Sequence, residues 1–410
     1  MSAEWISTTW GEIASLEYGK AIRDYQDADG TYIVYGTNGP IGKHHTPLCN
    51  YPSVIVGRKG AYRGIHYSAK PFFVIDTAFY LKPKAKLNTK WAYYCLLTYD
   101  INGMDSGSAI PSTSRDEFYK LPVLLPSENE CNQIAEYLTA FDDRIALLRE
   151  TNATLEAMAQ ALFKSWFVDF DPVHANAGNR AATLPAELQA LFPSTFIDTP
   201  QGPVPEGWSF VNLGELVCNQ TTTFKFSGVD EVVFVNTGDV AEGVFLHKNY
   251  SPVQGLPGQA KKAIQKDDIL FSEIRPKNKR FAYVNIDPKD YVVSTKFMVL
   301  RAIGDIAPRY IYQILKQDVT IDFFNMIAES RSGTFPQITF DSIQSYQVLR
   351  PSKACVDLFI DIVQPIIDRI DLTSEQAQTL ATLRDTLLPR LISGQLRLPD
   401  AEAALAEAGV

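Results

Sequence analysis

The stretch ALFKSWFVDFDPV, residues 161–173, places an Asp171-Pro172 pair behind Phe163, Trp166, Phe167 and Phe170. Base methylation would need a polar-Pro-Pro-aromatic loop to hold a flipped amino group, and a glycine-rich loop for S-adenosylmethionine. Asp171-Pro172-Val173-His174 lacks the second proline and the aromatic, and Phe226-Ser227-Gly228-Val229-Asp230 fails F-x-G-x-G at its second glycine. GTNGPIGKH, residues 36–44, imitates a phosphate loop. It sets Thr37 where the first glycine belongs and His44 where Ser or Thr should follow Lys43, and so reads as a turn between strands. Metal-dependent phosphodiester cleavage needs paired carboxylates and a lysine; Asp268…Glu273-Ile274-Arg275 ends in arginine. His44, His45, His66, His174 and His247 show no ligand spacing such as H-E-x-x-H. The predicted metal site is none, and no serine or cysteine sits in a nucleophile elbow.

Positive charge among aromatics is the chemistry that does recur. Arg58-Lys59-Gly60-Ala61-Tyr62-Arg63 follows the strand-like SVIV, and Arg275-Pro276-Lys277-Asn278-Lys279-Arg280 follows DILFSE. Either cluster alone is ordinarily a solvated loop; its recurrence points to a shared use, phosphate clamping with base-edge reading. Hydroxyl-rich Ser-Gly-x-Pro turns at Ser106–Ser114 and Arg331–Thr339 add Ser112, Thr113, Arg115, Arg331 and Thr334. They equally suit tight turns entering a final strand. Lys43 and Lys296 complete the candidate DNA-contacting set.

The bulk numbers describe an ordinary globular chain of 410 residues, 46% apolar and 21% charged, long enough for two or more domains. MSAEWISTTW carries no secretion-like pattern and no apolar run reaches 18 residues, so a cytoplasmic protein outside the membrane is expected. Cys49, Cys95, Cys131, Cys218 and Cys355 stand apart without C-x-x-C pairing and read as reduced structural thiols. The net charge of −9 opposes indiscriminate nucleic-acid binding. Its acidity is concentrated, however: residues 129–170 hold 3 basic against 7 acidic groups and residues 353–410 hold 5 against 9. Residues 1–128 (13 against 12) and 195–352 (16 against 17) are near neutral and free to focus local positive charge.

The elements that position these loops come in duplicate. Trp5…Trp10-Gly11-Glu12-Ile13 recurs at an offset of 203 as Trp208…Leu213-Gly214-Glu215-Leu216. From Pro111 onward the offset is 225: Pro111, Asp116 and Pro126 map to Pro336, Asp341 and Pro351, and Asp143-Arg144-Ile145 maps to Asp368-Arg369-Ile370. Each half ends in a heptad seam. The first is Ile134, Leu138, Phe141, Ile145, Leu148, Asn152, Leu155, Ala159, Leu162 and Trp166. The second is Phe359, Val363, Ile366, Ile370, Thr373, Ala377, Leu380, Arg384, Leu387 and Leu391. Two helices of nearly 40 residues should pair as a coiled coil, with Asn152 and Arg384 fixing register; Pro365 should kink the second or delay its start. Upstream, residues 30–83 and 230–301 alternate β-branched and aromatic runs with Gly, Pro and Asn, and short helices should follow at 88–99 and 307–325.

The fold class is therefore α+β: two strand-rich globular domains separated by a pair of long antiparallel coiled-coil helices, with an internal pseudo-twofold repeat. The expected boundaries are 1–128 and 208–351 for the globular domains, 129–170 and 352–394 for the helices, 171–207 for a connector ordered in patches, and 395–410 for a tail.

A chain of this organisation resembles the specificity subunit of type I restriction-modification enzymes. The resemblance covers essentially the whole length. It is most specific at Phe163–Val173, at Gln201-Gly202-Pro203-Val204-Pro205-Glu206-Gly207-Trp208 and at Leu387-Leu388-Pro389-Arg390-Leu391-Ile392-Ser393-Gly394, with Leu121-Pro122 and Leu125-Pro126 also family-like. Glu130-Cys131 and Ala354-Cys355 depart from the family's Glu-Gln at the helix start. The resemblance implies target-recognition domains that each read half of a split, asymmetric double-stranded DNA site. It implies paired helices that set half-site spacing and dock two DNA-methyltransferase subunits, and through them restriction/translocase subunits. S-adenosylmethionine, and ATP with Mg for cleavage, would sit on those partners, and this chain would be no enzyme and bind no cofactor itself. Expected helix-pair or partner contacts are Phe141, Ile145, Leu148, Asn152, Leu155, Leu162, Phe163, Trp166, Phe167, Phe170, Ile366, Ile370, Leu380, Arg384, Leu387 and Leu391. The rival reading is a structural adaptor with duplicated protein-binding domains.

Overall fold

The computed structural model describes residues 5–401 apart from 24, 26–28, 85 and 105–110, together with residue 403. The chain forms two compact units, Met1–Asn152 with Leu372–Val410, and Ala153–Asp371.

In the first unit, Ile6–Thr9 pairs antiparallel with Pro122–Leu125, and the chain then turns through a one-turn helix, Trp10–Ile13. Thr9 and Glu12 form a capping box that satisfies the exposed amides of this turn. A four-stranded antiparallel sheet follows in the order Ala14–Tyr18, Ala78–Pro83, Ser53–Gly57, Ile65–Ser68. A second sheet orders Gly39–His44, Tyr32–Gly36 and Phe73–Val74, the last pair parallel. GTNGPIGKH thus forms the turn and outer strand of a β-hairpin, with Gly39 at φ 112°. The helix Thr89–Leu96 is capped by Asn88, whose side chain accepts from the amides of Lys90 and Trp91 at 2.9 Å. Its inner face joins a core built on Trp10, Trp91, Phe118, Leu138 and Leu391. Each such ring or side chain contributes about 1.5–3 kcal/mol on burial.

The second unit repeats this plan. Its main sheet runs Val217–Gln220, Phe297–Ala302, Ile269–Ser272, Phe281–Tyr283, and its second sheet again contains a parallel pair, Glu231–Val235 beside Tyr291–Ser294. Ile6 faces Leu125 in the first unit and Ser209 faces Arg350 in the second, so both partners shift by the same 203 and 225 residues as the sequence repeat. A close approach explains the repeated glycine. A Cβ at Gly11 would lie 2.9 Å from the Tyr119 carbonyl oxygen, and one at Gly214 would lie 3.1 Å from the Gln344 Cβ.

Both long helices span 40 residues, Glu128–Phe167 and Lys353–Ile392. The first starts at a box in which Glu130 accepts from the Ser127 hydroxyl at 2.9 Å and from the Ser127 amide at 3.3 Å. The second ends at Gly394 in the left-handed conformation, φ 72°. The segments pair antiparallel within each unit. In the first, Arg384 donates to Asp142 at 2.7 Å, and Asn152 donates to Ser374 at 2.9 Å and accepts from Thr373. In the second, Phe163, Trp166 and Phe167 surround Phe359 at ring separations of 5.8, 6.1 and 5.3 Å.

Two expectations change, the delayed start at Pro365 and the single helix at 307–325. Pro365 neither delays nor divides its helix, which begins at Lys353 and continues through Pro365 and Pro389. Pro365 lies on the exposed side, where a lost backbone donor leaves its acceptor to water. The single helix expected at 307–325 is two, Pro308–Leu315 and Asp318–Arg331, broken where Gln317 turns extended (ψ 139°). The connector holds two short helices, Asp171–Asn176 and Ala186–Gln189, and the hairpin Phe196–Thr199 with Gly202–Pro205, joined by exposed chain; Val173, Phe192, Val204 and Trp208 enter the same core as Trp166 and Phe167. The box at 161–173 ends its helix at Phe167, passes through left-handed Phe170 (φ 53°), and starts a short helix with Pro172 in its first turn. Asp171-Pro172 is a helix boundary.

Candidate nucleic-acid interface

In the first unit the basic cluster occupies the hairpin loop between Ser53–Gly57 and Ile65–Ser68. The loop is laced to the segment that leads into the final strand. The Gly60 amide donates to the Pro111 carbonyl at 3.0 Å, and the Thr113 amide donates to the Arg58 carbonyl at 2.9 Å. The buried Thr113 hydroxyl donates to the Gly57 carbonyl at 2.8 Å, and Lys59 faces Ser112 in an isolated bridge. Arg58, Lys59, Ser112, Thr113 and Arg115 are thereby brought together, although Lys59 and Ser112 stand 53 positions apart.

Their side chains have different situations. Lys59 is exposed and Tyr62 is 78% exposed. Arg63 is 3% exposed, and its guanidinium donates to the carbonyls of Gly60, Ile101, Asn102 and Met104 at 2.7–3.2 Å. Arg63 is a loop anchor, not a surface cation. Arg58 donates to the Asp76 carbonyl at 2.9 Å and lies over the Tyr18 ring, as does Arg115. Lys43 is exposed on the strand Gly39–His44 of the other sheet. Of the turn at Ser106–Ser114, residues 106–110 lie outside the described residues.

The second unit places its cluster in the equivalent loop, between Ile269–Ser272 and Phe281–Tyr283. The lacing is equivalent too. The Arg275 amide donates to the Pro336 carbonyl at 3.0 Å, and Ile274 bridges Gln337. The loop folds as a 3-10 turn, Pro276–Asn278, between two left-handed residues, Arg275 (φ 44°) and Lys279 (φ 51°). Non-glycine residues held there cost of order 1 kcal/mol or more each, and such strain gathers at functional loops. Arg275 is exposed and reaches the Thr334 carbonyl at 3.5 Å; Lys277 and Asn278 are also exposed. Lys277 and Lys279 meet Asp322 and Asp318 at 4.0 and 2.9 Å, and the hydrogen bond from Lys279 to Asp318 raises the Lys279 ammonium above its usual pKa. Arg280 donates to the Val240 carbonyl at 2.7 Å, Arg331 donates to the Thr339 hydroxyl at 3.2 Å, and Lys296 is half-buried.

Sequence reading missed three contributors. Tyr18 closes a strand whose alternation gives no hint of two arginines over its ring. Phe335, 70% exposed beside Thr334, was passed over within the Arg331–Thr339 turn, and the acidic pair Asp318 and Asp322 sits on a helix remote in sequence from the loop it flanks.

The expected helix-pair residues are turned inward. In the first unit Phe141, Ile145, Leu148, Asn152, Leu380, Arg384, Leu387 and Leu391 are buried or half-buried; in the second, so are Leu155, Leu162, Phe163, Trp166, Phe167, Phe170, Ile366 and Ile370. What the helices show to solvent is instead Leu147, Met158, Val168 nearby and Leu372. Among the described residues, no three His, Cys, Asp or Glu side chains are grouped to hold a metal ion, and no helix is long and apolar enough to cross a membrane.

Comparison with known proteins gives this arrangement a family. The family model for the type I restriction modification DNA specificity domain matches residues 3–157 and 205–382, two copies that coincide with the repeat. The HindI type I restriction enzyme specificity subunit of Haemophilus influenzae is 47% identical over 181 residues, 44% of this chain and 39% of that protein. The match therefore spans well under half of that relative. The MjaIX specificity subunit of Methanocaldococcus jannaschii is 23% identical over 329 residues, 78% of this chain and 71% of that one. The crystal structure of the type I restriction-modification S subunit from M. genitalium has the same fold, with a TM-score of 0.58 at 18% identity over 95% of this chain and 96% of the other. The chain belongs to the family of type I restriction modification DNA specificity domains.

Proposed function

We propose that this chain is a non-catalytic specificity subunit that reads a bipartite, asymmetric double-stranded DNA site, one half-site per globular domain. The observation that carries the reading is the repeated pair of laced loops. Two domains with the same main-sheet order and the same register of their terminal strands present basic, hydroxyl-bearing and aromatic side chains from the same two positions. Their loop sequences differ, as reading two different half-sites requires. Exposed lysines at phosphates would supply salt-dependent affinity, and arginine and asparagine edges would supply base discrimination.

The long helices act in this reading as a rigid spacer and as the surface that docks DNA-methyltransferase subunits. The docking contacts are assigned to exposed outer positions such as Leu147, Met158 and Leu372, because the seams are occupied within the chain. S-adenosylmethionine belongs to those partners, ATP and Mg to restriction/translocase subunits that join them, and the assembly works in the cytoplasm. The test is methylation of duplex DNA by the full chain with and without its methyltransferase subunit. Site-specific adenine methylation only in the mixture supports the reading; methyl transfer by this chain alone, or methylation without sequence preference in the mixture, overturns it.

A further inference from the structure

Tyr18 ends the strand Ala14–Tyr18 and is 46% exposed. Two guanidiniums lie against its ring, with the Arg115 Cζ 4.3 Å and the Arg58 Cζ 4.8 Å from the ring centroid. They arrive on different segments. Arg58 opens the hairpin loop, and Arg115 begins the helix Arg115–Lys120, capped by Ser114. Arg58 is further held by its bond to the Asp76 carbonyl and by the Phe79 ring 5.7 Å away. Arg115 has no hydrogen bond or ion pair among the described residues.

Two like charges gathered on one ring repel each other, and no carboxylate of the described residues is paired with either. The ring faces offset part of that cost, on the order of 0.5–2 kcal/mol per contact. The ring contact holds the Arg115 guanidinium beside Tyr18, and no hydrogen bond among the described residues engages its N–H groups. The planar fork of a guanidinium matches the two acceptors, O6 and N7, on the major-groove edge of guanine.

The geometry points to Arg115 as a specificity-determining residue that reads a guanine in the half-site of the first domain, with Tyr18 and Arg58 as positioning residues. The assignment rests on the DNA-reading function proposed above. It is confined to one half-site. The repeat places Phe340 opposite Arg115 and Thr221 opposite Tyr18, and the strand bridges align Arg58 with Glu273, so the second unit lacks the device.

The experiment is selection of the full chain, with its methyltransferase subunit, on a library of randomised duplex DNA, followed by sequencing. The native chain should select a motif with a guanine in one half-site. Arg115→Ala and Arg115→Lys should each lose that preference by roughly tenfold or more at one base pair, leaving the other half-site unchanged. Tyr18→Leu should weaken the same position, and Tyr18→Phe, which keeps the ring, should restore it. Thermal melting within a few degrees of native shows that each variant folds. Equal loss of affinity for every sequence on Arg115→Ala would mark a phosphate contact and overturn the assignment, as would a motif unchanged by both Arg115 variants. A native chain that selects no sequence would bring down the DNA-reading function and this assignment with it.

Discussion

Lys59 and Arg63 stand four residues apart in one loop and do opposite things. Lys59 projects into solvent, and Arg63 closes the loop over four backbone carbonyls. Lys59→Ala should leave stability within about 0.5 kcal/mol and reduce the salt slope of DNA binding by roughly one, the value for one phosphate contact. Arg63→Leu should cost about 2–4 kcal/mol, because buried carbonyls lose their donor. The denaturation midpoint would show this, and a midpoint unchanged from native would contradict the anchor role. The sequence lists both as basic residues of one cluster, because burial depends on Ile101, Asn102 and Met104, some 40 positions away. For the same reason the gathering of Arg58 and Arg115 on the Tyr18 ring was not legible. The clusters themselves were, since they follow matching strands in both halves.

At the scale of elements, periodicity carried the most information. None of the 20 seam positions of the two heptad patterns is exposed, because a 3.5-residue apolar period admits little besides a paired helix. The polar exceptions are used: Asn152 bonds Thr373 and Ser374, and Arg384 bonds Asp142. Asn152→Leu combined with Thr373→Val should stabilise the pair by roughly 1 kcal/mol while loosening its register. That loosening would appear as acceptance of DNA sites with spacers one base pair longer or shorter; unchanged spacer selectivity would contradict a register role.

Glu130 gives the helix start a pH dependence. Burial opposes its ionisation, but hydrogen bonds from the Ser127 hydroxyl and amide and the charge of Arg397 outweigh it and hold the carboxyl below its usual range. A carboxylate depressed in the folded state stabilises above its unfolded pKa, near 4.3, and loses that contribution as pH falls through the folded value. Glu130→Gln should therefore lower the melting temperature near neutrality and converge with native only as pH falls below the depressed folded-state pKa. The delayed start at Pro365 and the single helix at 307–325 each rest on one signal alone. Pro365 costs one backbone bond on an exposed face, and Gln317 breaks a helix that continuous apolar spacing did not mark.

For the molecule as a whole, duplication is the organising fact. The offsets of 203 and 225 seen in the sequence reappear as strand partners, as loop lacing and as the close approach of Gly11 and Gly214. Sheet order and the parallel pair in each unit could not be read from strand composition, because long-range pairing leaves no local trace. Two domains built on one plan, with different loops, make modular recognition the expected outcome of the proposed function. The most direct test is a map of methylated adenines in cells that carry the methyltransferase subunit with this chain, and with a chain whose residues 1–128 come from another family member. The expected result is a bipartite motif with half-sites roughly one helical turn apart, about 10 base pairs, of which the replacement changes one half only. A motif altered in both halves, or an undivided motif, would contradict the account.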